Sequence, residues 1–112
     1  MANEQSPAQK AYGDIATAPA DLSDRVLFSE VWERFGLPKR DRSLVTVESL
    51  VALYYTNELS GHLRRALDSG VICEELVELV THLAFYASWP VANSVVPILR
   101  KTLEDADASK HS

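Results

Sequence analysis

Residues 57–70 read NELSGHLRRALDSG, and this segment decides the fold. Leu59, Leu63, Ala66 and Leu67 recur at three- and four-residue steps, the period that lines up side chains on one face of an α-helix. Asn57 stands where an N-cap belongs and Gly70 where the left-handed residue after a helix belongs, so the spacing predicts a helix from 58 to about 69. The same period continues on both sides. Upstream, Asp41 opens a helix from 42 to about 56, with Leu44, Val47, Val51 and Tyr54 or Tyr55 along one face and Leu50 and Leu53 near the opposite one. Downstream, a helix begins near Cys73 and runs to about 88, with Glu74 and Glu75 in its first turn, where the positive end of the helix dipole favours acids. Its Leu76, Leu79, Val80 and Leu83 share one side, and Phe85 lies on the far one. Pro90 opens a last helix to about 105, which Pro97 is expected to kink by removing a backbone donor.

Nearer the N-terminus, Ser6 and Pro7 supply a cap and first turn for a short helix that Gly13 weakens. Asp21-Leu-Ser-Asp24 offers another cap ahead of Val26, Leu27, Phe28, Val31 and Trp32, and Gly36 and Pro38 stop that segment. No run alternates apolar and polar residues long enough to read as a strand, so the expected fold is all-α, a small bundle of five to six helices. Residues 1–10 and 107–112, poor in apolar side chains, are expected to be flexible ends around a single helical domain at 11–106.

A chain of 112 residues has length for one domain, and 46% apolar with 24% charged residues excludes a disordered polymer. No apolar run approaches the roughly 20 residues that cross a bilayer, and MANEQSPAQK has no apolar h-region, so a soluble, cytoplasmic protein without a membrane partner is expected. Cys73 is the lone cysteine, which excludes an internal disulfide, a cysteine-rich zinc site and a two-cysteine redox couple. A net charge of −5 gives no footprint for nucleic acid. Basic residues do gather, at Lys39, Arg40 and Arg42 and again at Arg64 and Arg65, while 66–99 holds no Lys or Arg; a local anion site stays open. Three helices apolar on nearly every side are more than so short a chain can enclose, so the core is expected to be completed by oligomerisation.

Several spaced segments, in order, resemble the carboxymuconolactone decarboxylase family: GDIA at 13–16, VLFSEVWERFGL at 26–37, RDRSLVTV at 40–47, HLRRALDSGV at 62–71 and HLAFYASWPVANS at 82–94. The resemblance implies an all-α subunit assembling into trimers or hexamers, with sites between helices near subunit contacts. It implies loss of carbon dioxide from a carboxylated lactone in aromatic-acid breakdown. The related alkylhydroperoxidase-D-like branch uses a Cys-x-x-Cys pair with a histidine four residues on. Aligning that histidine with His62 puts Tyr55 and Glu58 at the cysteine positions and Ser43 at a relay glutamate, so disulfide peroxidase chemistry is not expected.

His62 is the leading catalytic candidate, as donor of a proton to carbon near neutral pH; the alternative is a histidine bonded at a helix interface. His82, one turn after Glu78, reads equally as a second acid or as a surface Glu/His pair. Glu30 reads as a general acid or base, or as the partner of Arg34 one turn on. Arg42 and Arg64 match family positions and suit a substrate carboxylate, because a guanidinium bonds two oxygens at once; either can instead bridge subunits. Glu48 falls in the strip of Leu44, Val51 and Tyr55, where the family is usually small or apolar, and is either an acid/base group or a rim residue whose stem packs and whose head reaches water. Tyr55, beside Tyr54, and Trp89, beside Pro90, are candidates to line the substrate pocket. No His-x-x-x-His or Glu-x-x-His spacing surrounds either histidine, so no metal is expected.

The reading that follows is a cofactor-independent lyase acting on a small carboxylated lactone or enolisable ring, whose own conjugation accepts the electron pair. The alternatives are the same fold reused for cyclisation, isomerisation or dehydration in a biosynthetic pathway, and a non-catalytic oligomeric binding protein.

Overall fold

The computed structural model describes residues 5–110, and among them are six α-helices, one π-helical stretch and no strand. The chain divides into two compact units, Met1–Pro38 and Lys39–Ser112. No helix among the described residues is long and apolar enough to cross a membrane.

In the first unit, α1 (Pro7–Tyr12) starts as the sequence indicates, with Ser6 Oγ accepting the Gln9 N–H at 3.1 Å and Pro7 in the first turn. The expectation of flexibility at residues 1–4 lies outside the described residues. Helix α2 (Thr17–Leu22) corrects the cap expected at 21–24: the helix is already running there. Asp21 pairs with Arg25 one turn on at 2.8 Å instead of capping. From Ser23 to Val31 the coil widens to a π-helix, in which the Trp32 N–H reaches back five residues to the Leu27 carbonyl at 2.9 Å. Phe28 stacks on Trp32 with ring centroids 5.9 Å apart.

The second unit is built from α3 (Lys39–Ala52), α4 (Thr56–Asp68), α5 (Cys73–Tyr86) and α6 (Trp89–Lys110). Helix α3 packs on α4 and α5, and α6 packs on the same two. Their shared core is Val47 and Val51 from α3, Leu59, Leu63 and Ala66 from α4, Leu76 and Val80 from α5, and Val95 and Leu99 from α6, all buried. Those from α3, α4 and α5 are the residues that helical periodicity selects.

The ends of the helices differ from expectation in instructive ways. Helix α3 begins at Lys39 and stops at Ala52, not 56, because Tyr54 adopts a left-handed backbone at φ 62°. The Tyr55 N–H then bonds the Leu50 carbonyl at 2.8 Å and the Tyr54 N–H bonds that of Val51 at 3.0 Å, the paired bonds of a Schellman ending. Asn57 is consequently inside the first turn of α4, and Tyr55 takes the cap position. The same pairing closes α4, where Val71 N–H bonds the Ala66 carbonyl at 3.0 Å and Gly70 N–H that of Leu67 at 3.2 Å, with Gly70 at φ 101°. Here the left-handed residue is the glycine the sequence placed there. Helix α5 is capped by its third residue, whose carboxylate (Glu75 Oε1) accepts the Ile72 N–H at 3.0 Å. Ser88 Oγ caps α6 by accepting the Val91 N–H at 3.1 Å, and the helix continues through Pro97 to Lys110, into the polar segment expected to be a flexible tail; 111–112 lie outside the described residues.

Many large apolar side chains remain uncovered: Leu53, Phe85, Tyr86 and Trp89 are each more than half exposed. That is the excess the composition foreshadows.

The two left-handed residues give a paired prediction. A side chain with a Cβ pays about 1–2 kcal/mol to sit in this conformation, less what glycine loses in unfolded-chain entropy. Since a Cβ at Gly70 would meet no atom within 4 Å, Gly70→Ala isolates that strain and should destabilise by about 1 kcal/mol, while Tyr54→Gly should stabilise by about 0.5–1 kcal/mol. Urea midpoints measure both, and a stabilised Gly70→Ala would refute the account.

Candidate functional site

Helices α3 and α5 carry a cavity on their uncovered sides, a groove of about 650 Å³. Its walls are Leu44, Val45, Leu79 and Leu83, and its polar groups are Glu48 from α3 and Glu74, Glu75, Glu78 and His82 from α5. The placement follows from the helical period. Going round α3 from the buried seam of Val47 and Val51 leads next to Leu44, Glu48 and Val45; going round α5 from Leu76 and Val80 leads to Leu79, Glu75, His82 and Glu78. Size and character match a small-molecule site, mostly apolar with a few convergent polar groups.

Two of the candidates named from sequence, Glu48 and His82, thus meet in one cavity. Glu48 is exposed and lies 3.4 Å from the Ser49 hydroxyl, which can donate to it. The His82 ring stacks on Tyr86 with centroids 4.7 Å apart. The other candidates sit elsewhere. His62 is half-buried on α4, outside the lining of the groove, and its Nδ1 is buried with no hydrogen-bond partner. Desolvation holds its pKa below the ordinary histidine value, Arg65 adds to that lowering, and Glu58 opposes it.

Tyr55 is exposed at the cap of α4. Trp89 is exposed in the first turn of α6, edge-on to Phe85 at 5.3 Å. Arg42 is half-buried on α3, where its backbone carbonyl accepts the Thr46 hydroxyl at 2.8 Å. Arg64 pairs with Asp68 at 3.5 Å and lines a second cavity, of about 560 Å³, which also holds Cys73. Glu30 belongs to the first unit and is exposed on the π-helical stretch.

Sequence reasoning missed the ion pair at one end of the groove. Arg40, in the first turn of α3, bonds Glu75 through Nη2 and Asp41 Oδ1 through Nη1, the latter at 3.3 Å. The bonds from Ile72 N–H and Arg40 hold the Glu75 carboxyl below the usual carboxylate range, and Glu75 in turn raises the Arg40 guanidinium. The clustering of Lys39, Arg40 and Arg42 was the available signal, but not which of the three turns toward α5. Among the described residues no group of three His, Cys, Asp or Glu side chains is arranged to hold a metal ion.

Residues 19–101 match the model of the carboxymuconolactone decarboxylase family. Over 81 residues, 72% of this chain and 60% of the relative, the chain is 41% identical to a 4-carboxymuconolactone decarboxylase of Acinetobacter baylyi. Over 75 residues, 67% of this chain and 52% of the relative, it is 35% identical to a nitrosuccinic acid decarboxylase of Metarhizium robertsii. The chain thus spans between half and three fifths of the length of these curated relatives.

The lowered pKa of His62 has a pH signature. Below the ordinary histidine value of 6.5 the unfolded chain binds a proton that the folded chain resists, so stability is complete above that value and falls as pH drops through it. His62→Gln should flatten the slope of melting temperature between about pH 5 and 7. An unaltered slope would show that the ring titrates alike in both states.

Proposed function

Because the chain belongs to the carboxymuconolactone decarboxylase family, we propose that it removes carbon dioxide from a small carboxylated compound and that the α3/α5 groove is where it does so. The observation that carries this is the meeting of His82 and Glu48, from separate helices, in one largely apolar cavity of about 650 Å³. Decarboxylation breaks a carbon–carbon bond, moves the electron pair into a conjugated acceptor on the substrate, and ends with a proton on carbon. The substrate is its own electron sink, so no cofactor is required. An imidazole is the side chain best suited to delivering the proton near neutrality. We assign that role to His82, which lines the groove, and not to His62, which lies outside its lining. Glu48 and Glu78 face the same space and favour the charged imidazolium, which regains its proton from solvent after turnover.

The names of the two relatives pair this scaffold with two different acids, which supports a substrate class of small carboxylated molecules, not one fixed lactone. The exposed Phe85, Tyr86 and Trp89 support a homo-oligomer, in keeping with a groove that one chain leaves open. A cytoplasmic setting agrees with a lone cysteine free of any disulfide.

His82→Gln should lower carbon dioxide release from 4-carboxymuconolactone or nitrosuccinic acid by about 100-fold or more. Release from neither acid by the wild-type chain, or full turnover by the variant, would sink the assignment. Independently, Phe85→Glu should shift sedimentation toward the monomer, since a buried, unpaired carboxylate at a contact is costly.

A further inference from the structure

The groove poses an electrostatic problem for the substrate proposed for it. Glu48, Glu74, Glu75 and Glu78 line it, and no Lys or Arg is among its described lining residues. A carboxylate entering such a space is repelled unless a cation stands at its edge. The arginines favoured by the sequence do not stand there, since Arg64 lines the other cavity and Arg42 is not part of the groove lining.

Arg40 does. Its guanidinium is bonded directly to Glu75, one of the lining residues, and its side chain is 37% exposed, open to a ligand. A guanidinium carries five N–H donors in a planar fork. Glu75 and Asp41 engage two of its nitrogens, Nη2 and Nη1, with one contact each, so donors remain for a third carboxylate. Glu75 is also held without Arg40, because its other oxygen accepts the Ile72 N–H at 3.0 Å. A substrate carboxylate can therefore draw the guanidinium toward the groove without stranding Glu75.

We propose that Arg40 is the residue that holds a substrate carboxylate at the end of the α3/α5 groove, and that Glu75 sets the strength of that hold by competing for the same guanidinium. This deepens the assignment of the groove as the site and rests on it. The arrangement predicts opposite effects from the two partners of one ion pair. Arg40→Gln removes the fork and weakens carboxylate binding. Glu75→Gln keeps an oxygen to cap the Ile72 N–H, removes the competing charge, and strengthens binding. A clasp that merely braced the two helices would make both variants fail alike.

The experiment is calorimetric titration of the full chain with succinate, the unsubstituted parent of the acid for which one relative is named, alongside steady-state decarboxylation. Arg40→Gln should weaken succinate binding about tenfold or more, the loss of a charge-assisted pair, and raise KM by a similar factor. Glu75→Gln should tighten binding about threefold or more. In the double variant that gain should vanish, because it runs through Arg40. Should Arg40→Gln fail to fold, Glu75→Gln decides alone: tighter binding supports the proposal and unchanged or weaker binding overturns it. Wild-type chain that binds no succinate at millimolar concentration, or two single variants that shift in the same direction, also overturns it. Binding is read without turnover, so these outcomes are separable from a failure of the decarboxylase assignment, which shows as absent carbon dioxide release with succinate binding and its opposite shifts intact.

Discussion

Helix α3 serves two environments at once, and the rest of the second unit depends on that division. Its buried seam, Val47 and Val51, is sealed by α4 and α5, while the strip one step round the helix, Leu44, Glu48 and Val45, is left as a wall of the groove. At 100° per residue these sets are neighbours, so the packing that orients the core also fixes which side chains face the cavity. Helix α5 repeats the division with Leu76 and Val80 inward and Leu79, His82 and Glu78 toward the groove. Core and site are two sides of the same helices, and a substitution that rotates either helix disturbs both.

That orientation is held at the ends of the helices. The left-handed residues Tyr54 and Gly70 turn the chain sharply after α3 and α4, the first so that α4 lies back against α3 and the second so that α5 reaches α3 and α6. One turn uses the residue with no steric objection, and the other uses a tyrosine. The strain at Tyr54 is tolerated because two backbone bonds and the packing of α3 on α4 together determine the turn. At the opposite end of α3 the link is electrostatic, from Arg40 across to Glu75 and on to the Ile72 N–H, which joins the first turns of α3 and α5.

Much of this was legible in the sequence, and what was not has definite causes. The apolar period located all four helices of the second unit, because burial of a stripe is what makes those segments helical. Gly70 and the Ser6–Pro7 start were read correctly from cap chemistry, which is local. The end of α3 was misplaced because nothing in Tyr54-Tyr55 announces a left-handed backbone; tertiary packing imposes it. The cap at Asp21–Asp24 failed because those residues have another use within a running helix, the Asp21–Arg25 pair. For the site, periodicity puts Glu48 in the strip of Leu44 and Val51 and His82 one turn after Glu78, but their meeting joins residues 34 positions apart in sequence, which no local pattern encodes. Arg40 was lost among its basic neighbours for the same reason, since only the position of α5 distinguishes it from Lys39 and Arg42.

The charge of the groove bears on the chemistry as well as on binding. A carboxylate about to leave as carbon dioxide is destabilised by nearby fixed negative charge, and that repulsion weakens as its electrons move into the conjugated acceptor. Glu48 and Glu78 flank the same space as His82, whereas Arg40 is bonded to Glu75 in the first turn of α5. Under the proposed assignment, with Arg40 as anchor, a substrate bearing two carboxylates would be drawn in with one at the cation and the other among apolar and acidic walls beside His82. On that proposal the polarity of the groove would select which carboxylate is lost, and the acidic lining that first looks hostile to an acid would be the part of the site that favours its decarboxylation.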